Sequence, residues 1–266
     1  MTPLRRDQLI VTLAAVVWVV GTLIGTGVVG GGGGVEEQGE GSFSDQATLI
    51  APDGPAFSIW SVIYLFLAIY TVWQWLPAAA GSEWARRTRL PAAASLALNG
   101  IWLLVVFAGW ILGSVLVILA IAISLGVVLR RTAGLPDEGW VPRAAVSVTF
   151  GLYLGWVCVA TCANVATWLV DLGVPAEGTA PAWTTVAVLV VVVALTALLL
   201  TRTDDLVLRL ALVAAATWGV AWVAVGRFSG EPASDLVGWA AVVAAVLVVG
   251  LGVVSALPRT RAAVRV

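Results

Sequence analysis

The chain has no histidine and no lysine, one methionine and two cysteines, and only 11% of its 266 residues are charged. Each gap removes a chemistry. Without lysine there is no Schiff base to retinal or any other aldehyde. Without histidine there is no Ser-His hydrolase, no intramembrane metalloprotease of the usual pattern, and no imidazole ligand for a haem iron or zinc. Cys158 and Cys162 stand one helical turn apart without other soft ligands and read as small packing residues. A net charge of -1 gives no ground for a nucleic-acid partner.

What remains is apolar: 61% of the residues are hydrophobic and the mean hydropathy is +1.02. That composition marks an integral membrane protein, with the lipid bilayer as its first partner. The apolar runs reach about 20 residues without polar alternation, so helices rather than a barrel are expected, each satisfying its own backbone in lipid. The expected fold is an all-α, polytopic transmembrane helix bundle of eight spans. They cover Gln8 to Gly30, Phe57 to Leu76, Pro91 to Gly109, Ile111 to Arg130, Ala144 to Val170, Trp183 to Thr201, Asp205 to Gly226 and Asp235 to Leu257. Gly109 to Gly113 is read as a turn, because about 40 apolar residues need two crossings.

Orientation follows from the arginines, which gather on the cytoplasmic side. With both termini cytoplasmic, Arg5, Arg6, Arg86, Arg87, Arg89, Arg130, Arg131, Arg143, Arg202, Arg209, Arg259, Arg261 and Arg265 fall inside and Arg227 alone outside. The expected location is the cell membrane, multi-pass. Residues 1–30 are too long and too glycine-ended for a secretory leader and are read as an uncleaved first span. Every carboxylate lies in a loop or at a span end, which disfavours a pump or ion-coupled carrier, since those place ionisable groups near the midplane.

The polar content inside the spans is neutral and aromatic. On the fifth span Tyr153, Trp156, Ala160, Asn164 and Trp168 share one helical stripe, with the two cysteines opposite. The second span carries Phe57, Trp60, Tyr64 and Thr71; the third carries Asn99 and Trp102. Asn99 and Asn164 should point into the bundle, where such bonds contribute about 0.6 to 2 kcal/mol. Trp75, Trp84, Trp110, Trp140 and Trp183 lie near span ends and are read as an interfacial belt. The first external loop, 31–55, opens on four glycines and continues acidic through Glu36, Glu37 and Glu40, as a plain linker or a lid over an aromatic cavity would. Gly151 with Gly155, and Gly21 with Gly25, make small-xxx-small pairs that suit either tight packing inside one bundle or a homodimer.

These motifs resemble the TspO/MBR family, also called tryptophan-rich sensory proteins or translocator proteins. Pro52, Gly54, Phe57, Trp60 and Tyr64 follow the opening of the family's second helix; Leu98, Asn99 and Trp102 follow its third. Tyr153, Leu154, Trp156, Val157, Ala160, Thr161, Asn164 and Trp168 follow its fifth. The resemblance covers residues 8–172 and implies a five-helix bundle, 1–172, that holds a flat hydrophobic ligand, porphyrin- or sterol-like, with a sensory, regulatory or transport role. Phe57, Trp60, Tyr64, Asn99, Trp102, Tyr153, Trp156, Ala160 and Asn164 are the expected lining. Residues 173–266 read as three further transmembrane helices of unassigned role. No cofactor is required beyond a porphyrin as ligand, and with no midplane acid or histidine no enzyme is expected. An uncoupled facilitator of a small amphipathic molecule and a structural membrane subunit are the competing readings.

Overall fold

The computed structural model describes residues 2–29 and 41–257; the glycine run at 31–34, Glu36, Glu37, Glu40, Arg259, Arg261 and Arg265 lie outside the described residues. Among the described residues eight helical spans are long and apolar enough to cross a membrane: α1 Pro3–Gly25, α2 Ile59–Trp73 with the 3-10 turn Gly54–Ser58 leading into it, α3 Glu83–Phe107, α4 Ile111–Thr132, α5 Thr149–Asp171 continuing the helical segment from Trp140, α6 Thr179–Leu200, α7 Leu206–Ser229 and α8 Asp235–Ala256. The eight expected spans are all present, and no strand occurs among the described residues.

The boundaries differ most at α3, which begins eight residues before Pro91. Ser82 caps it through Ala85 N, Glu83 sits in its first turn, and Arg86 and Arg87 pair back to Glu83. A proline inside a helix leaves the carbonyl four residues earlier without its donor. Here the orphan is Arg87 O, and Arg131 of α4 donates to it at 3.3 Å. A second helix thus supplies what Pro91 removes. Gly109, at φ 69°, makes the turn into α4, so Ile111 opens a separate crossing.

Five helices form a ring in the order α1, α2, α5, α4, α3, with α1 packed along α3. That contact rests on missing side chains: a Cβ on Gly21 would lie 2.3 Å from Gly100 O, and one on Gly100 would lie 2.3 Å from Val17 O. The other three helices extend from α5. Helix α7 packs on α5, α8 on α7, and α6 on α8. The α5–α7 contact uses the same device, since a Cβ on Gly155 would lie 2.2 Å from Leu212 O and one on Gly151 would lie 2.7 Å from Leu208 O. Both glycine pairs are therefore occupied by helices of the same chain. Cys158 is buried and Cys162 half-buried, both as free thiols.

The ends of the bundle differ in charge. One carries Arg86, Arg87, Arg130, Arg131, Arg143, Arg202 and Arg209; the other carries Asp45, Asp53, Asp171, Glu177, Glu231, Asp235 and the buried Arg227. At the arginine end, Glu138 accepts from Ser82 Oγ and Glu83 N, and Trp84 Nε1 donates to Pro136 O at 2.8 Å. Trp84 is accordingly only 3% exposed and is no belt residue, whereas Trp75, Trp110, Trp140 and Trp183 are exposed as a belt requires.

Candidate ligand cavity

Toward the acidic end, the ring of five helices encloses a cavity of about 50 Å³. Phe57 reaches it from the turn before α2, Trp60 from the start of α2, Trp102 from α3, Ile118 from α4, and Trp156, Ala160, Ala163, Asn164 and Thr167 from α5. Its roof is the chain before α2: Phe43, Ser44, Ala51 and Pro52. None of the described lining residues is charged.

The rings meet edge to face, the arrangement their quadrupoles favour. Trp60 and Trp156 lie 6.1 Å apart at 81°, Phe57 and Trp156 5.8 Å apart at 77°, and Phe43 closes on Trp102 at 6.4 Å and 80°. Asn164 fixes the wall between α3, α4 and α5. Its Oδ1 accepts from Trp102 Nε1 at 3.3 Å and from Ser114 Oγ at 2.9 Å, while its Nδ2 donates to Ala160 O at 2.9 Å. With both ends of the amide engaged, Asn164 braces the bundle. Trp156 is different: its ring is 1% exposed and its Nε1 has no hydrogen-bond partner among the described residues.

Of the nine residues read from the sequence, Phe57, Trp60, Trp102, Trp156, Ala160 and Asn164 line this cavity. Tyr64, Asn99 and Tyr153 form a layer beneath it. Tyr64 donates its hydroxyl to Asn99 Oδ1 at 3.2 Å, Tyr153 packs against Trp60 at 5.9 Å, and the Tyr153 hydroxyl reaches Ser95 O at 3.5 Å. Trp18 of α1 joins that layer edge-on to Tyr64 at 5.2 Å. Trp168 does not line the cavity, and Thr167 takes that end of α5 instead. Sequence reasoning missed Phe43, Ser44 and Ala51, which sit in a loop without helical period, Ile118, an aliphatic residue in an aliphatic helix, and Ala163 and Thr167 beside the aromatic stripe of α5; Pro52 was read as part of the motif but not as lining.

Roofed, floored and lined with indoles from three helices, this is the arrangement the motif resemblance implies. The family model described as TSPO-like protein matches residues 9–254. The chain belongs to the TSPO-like protein family. That match runs through α6, α7 and nearly all of α8, so it takes in the helices that lie beyond the motif-bearing five. Comparison with curated proteins and with solved structures gives no match.

The TSPO-like chain also holds its roof from the far side, through α7. Trp218 Nε1 donates to Ala56 O at 2.9 Å, and Asp53 N donates to Trp222 O at 3.2 Å. Arg227 gives two further bonds, to Asp45 O at 2.9 Å and to Thr48 O at 3.3 Å. On the α5 side, Thr167 Oγ1 donates to Ser42 O at 3.2 Å.

Proposed function

We propose that this integral membrane protein binds a flat apolar ligand, porphyrin- or sterol-like, between the rings of Trp60, Trp102 and Trp156, and that it acts in the cell membrane as a sensor or regulator. One observation carries the reading: aromatic rings from three helices and the roof converge on an uncharged chamber, and Trp156 in its wall carries a buried N–H without a partner among the described residues. A donor in a dry site is a standing invitation to one acceptor atom, because burying it without a partner costs about 1 to 3 kcal/mol.

The chamber's size and charge sharpen the ligand class. About 50 Å³ accommodates a few waters, so a tetrapyrrole enters only when Phe43 and its neighbours move aside. No cation lines the walls to pair with a carboxylate, and the roof carries Asp45 and Asp53. The face that enters is therefore uncharged, and any carboxylates of the ligand stay at the mouth. Binding rather than passage is favoured by the Tyr64, Asn99 and Tyr153 layer, which closes the chamber below.

The test is titration of the purified protein in nanodiscs with protoporphyrin and with its uncharged dimethyl ester, followed by the porphyrin absorbance band. The ester is expected to bind more tightly, and Trp156→Phe, which keeps the ring and removes the N–H, is expected to weaken it by about tenfold. Absence of saturable binding by both compounds rejects the reading. Flux of either compound through proteoliposomes would replace the sensor by a facilitator.

A further inference from the structure

Arg227 is 1% exposed although it stands two residues from the end of a membrane-crossing helix, where an arginine ordinarily reaches for water. Its guanidinium is spent on backbone oxygens from two separate segments. Nη2 donates to Asp45 O at 2.9 Å and Nη1 to Thr48 O at 3.3 Å, both in the roof of the cavity. Nη1 also donates to Pro232 O at 2.9 Å and Nη2 to Glu231 O at 3.4 Å, both in the turn between α7 and α8. One side chain thus joins the turn of the last helix pair to the loop over the aromatic chamber.

The same helix holds the roof at two further points. Trp218 and Trp222, four residues apart, share one face of α7. Trp218 donates to Ala56 O and Trp222 O accepts from Asp53 N. Within the roof, Asp45 Oδ2 accepts from Gly54 N at 3.3 Å, so the segment 45–56 is pulled into one body that α7 grips along its length.

We infer that Arg227 is a positioning residue for the ligand cavity, and that helix α7, with its turn into α8, serves to clamp the roof shut. The oxygens at Asp45 and Thr48 lose their charged donor when Arg227 is removed, and the roof then opens without any change in the lining. The rates at which a ligand enters and leaves are set by the clamp, while the chamber sets the affinity.

Amide hydrogen exchange on the full chain in nanodiscs tests this without any ligand. The amides of Ala47, Ala51, Asp53, Gly54 and Ala56 are all bonded in the closed roof and report its opening. Arg227→Gln is expected to speed exchange over 41–56 by about tenfold, with α1 to α5 unchanged. Trp218→Phe, which keeps the ring and removes one roof bond, is expected to speed it severalfold at 53–58 and stands as the test should Arg227→Gln not fold. Unchanged exchange over 41–56, or faster exchange confined to 229–237, overturns the inference. A kinetic arm rests on the ligand reading above: with protoporphyrin dimethyl ester, association and dissociation should both rise by about fivefold in Arg227→Gln, with affinity shifting less. Faster roof exchange in a protein that binds no porphyrin would uphold the clamp and reject the ligand.

Discussion

Apart from the glycine contact of α1 with α3, the helices up to Asp171 meet around the cavity through indoles, tyrosine hydroxyls and asparagine amides, whereas the helices from Thr179 onward meet mainly through valine, alanine and glycine, with the Phe228–Trp239 pair and an arginine at each end. In the first set, Asn164 bonds side chains from α3 and α4, and Tyr64 bonds Asn99. In the second, Gly252 admits Val213, Gly238 admits Phe228, and the polar anchors between elements are Arg209 and Arg227. The difference separates two jobs. Directional polar contacts fix where rings point, which a cavity needs; smooth aliphatic contacts fix only how closely helices lie, which suffices for a scaffold. Helix α7 belongs to both, with Leu212 against Gly155 on one side and Arg227 over the roof at its end.

The most disruptive way to break the comparison is to part the two sets at their join. Gly155→Leu places a side chain where even a Cβ would lie 2.2 Å from Leu212 O, a backbone atom that cannot swing away. We expect a loss of about 3 kcal/mol or more and, because α7 is displaced, loss of roof protection as well. Thermal unfolding in detergent together with hydrogen exchange over 41–56 reads both effects; a wild-type Tm would show that the helices are not in contact there.

Asn164→Ala comes next and acts within the first set alone. It strands Trp102 Nε1 while Ser114 keeps its bond to Ile111 O, so a loss of about 1 to 3 kcal/mol is expected, accompanied by a shift in tryptophan emission. The second set offers the counterpart in Arg209→Met. Arg209 donates to Thr203 O, to Ser255 O at 3.0 Å and to Asp204 at the arginine end, tying the start of α7 to the end of α8. Its removal should cost about 1 to 2 kcal/mol and leave exchange in the roof untouched. If Arg209→Met opens the roof as Arg227→Gln does, the clamp is global packing and not a local device.

Much of this contrast was legible in the sequence. Eight runs of apolar residues gave eight helices because lipid leaves a backbone no other way to satisfy itself, and Asn99 and Asn164 had to turn inward for the same reason. The rings of Phe57, Trp60, Trp102 and Trp156 announced themselves by spacing. The roof did not, because residues 41–56 follow no period: Phe43 packs on Trp102 through loop geometry that only the assembled helices define. Arg227 was conspicuous as the one arginine on the acidic side, yet charge counting assigns it an end of the bundle and not a partner. The start of α3 was hidden by Pro91, whose helix-breaking signal is true locally and is answered by Arg131 from a neighbouring helix.

The smallest expected effect compares two tryptophans that occupy equivalent places in the chain, each near the start of its helix. Trp84 is 3% exposed and donates to Pro136 O, while Trp183 is 58% exposed. Phenylalanine at either site keeps an aromatic ring and removes only the N–H. At Trp84 this leaves a carbonyl of the loop before α5 without its donor, so Trp84→Phe should cost about 1 kcal/mol. Trp183 is exposed at the end of a span, where headgroups and water can replace any partner of its N–H, so Trp183→Phe should change stability by less than about 0.5 kcal/mol. Equal losses at the two sites, measured by thermal unfolding in the same lipid, would mean that Trp183 is bonded to a neighbour and that the later helices carry directional contacts of the kind found among the earlier ones.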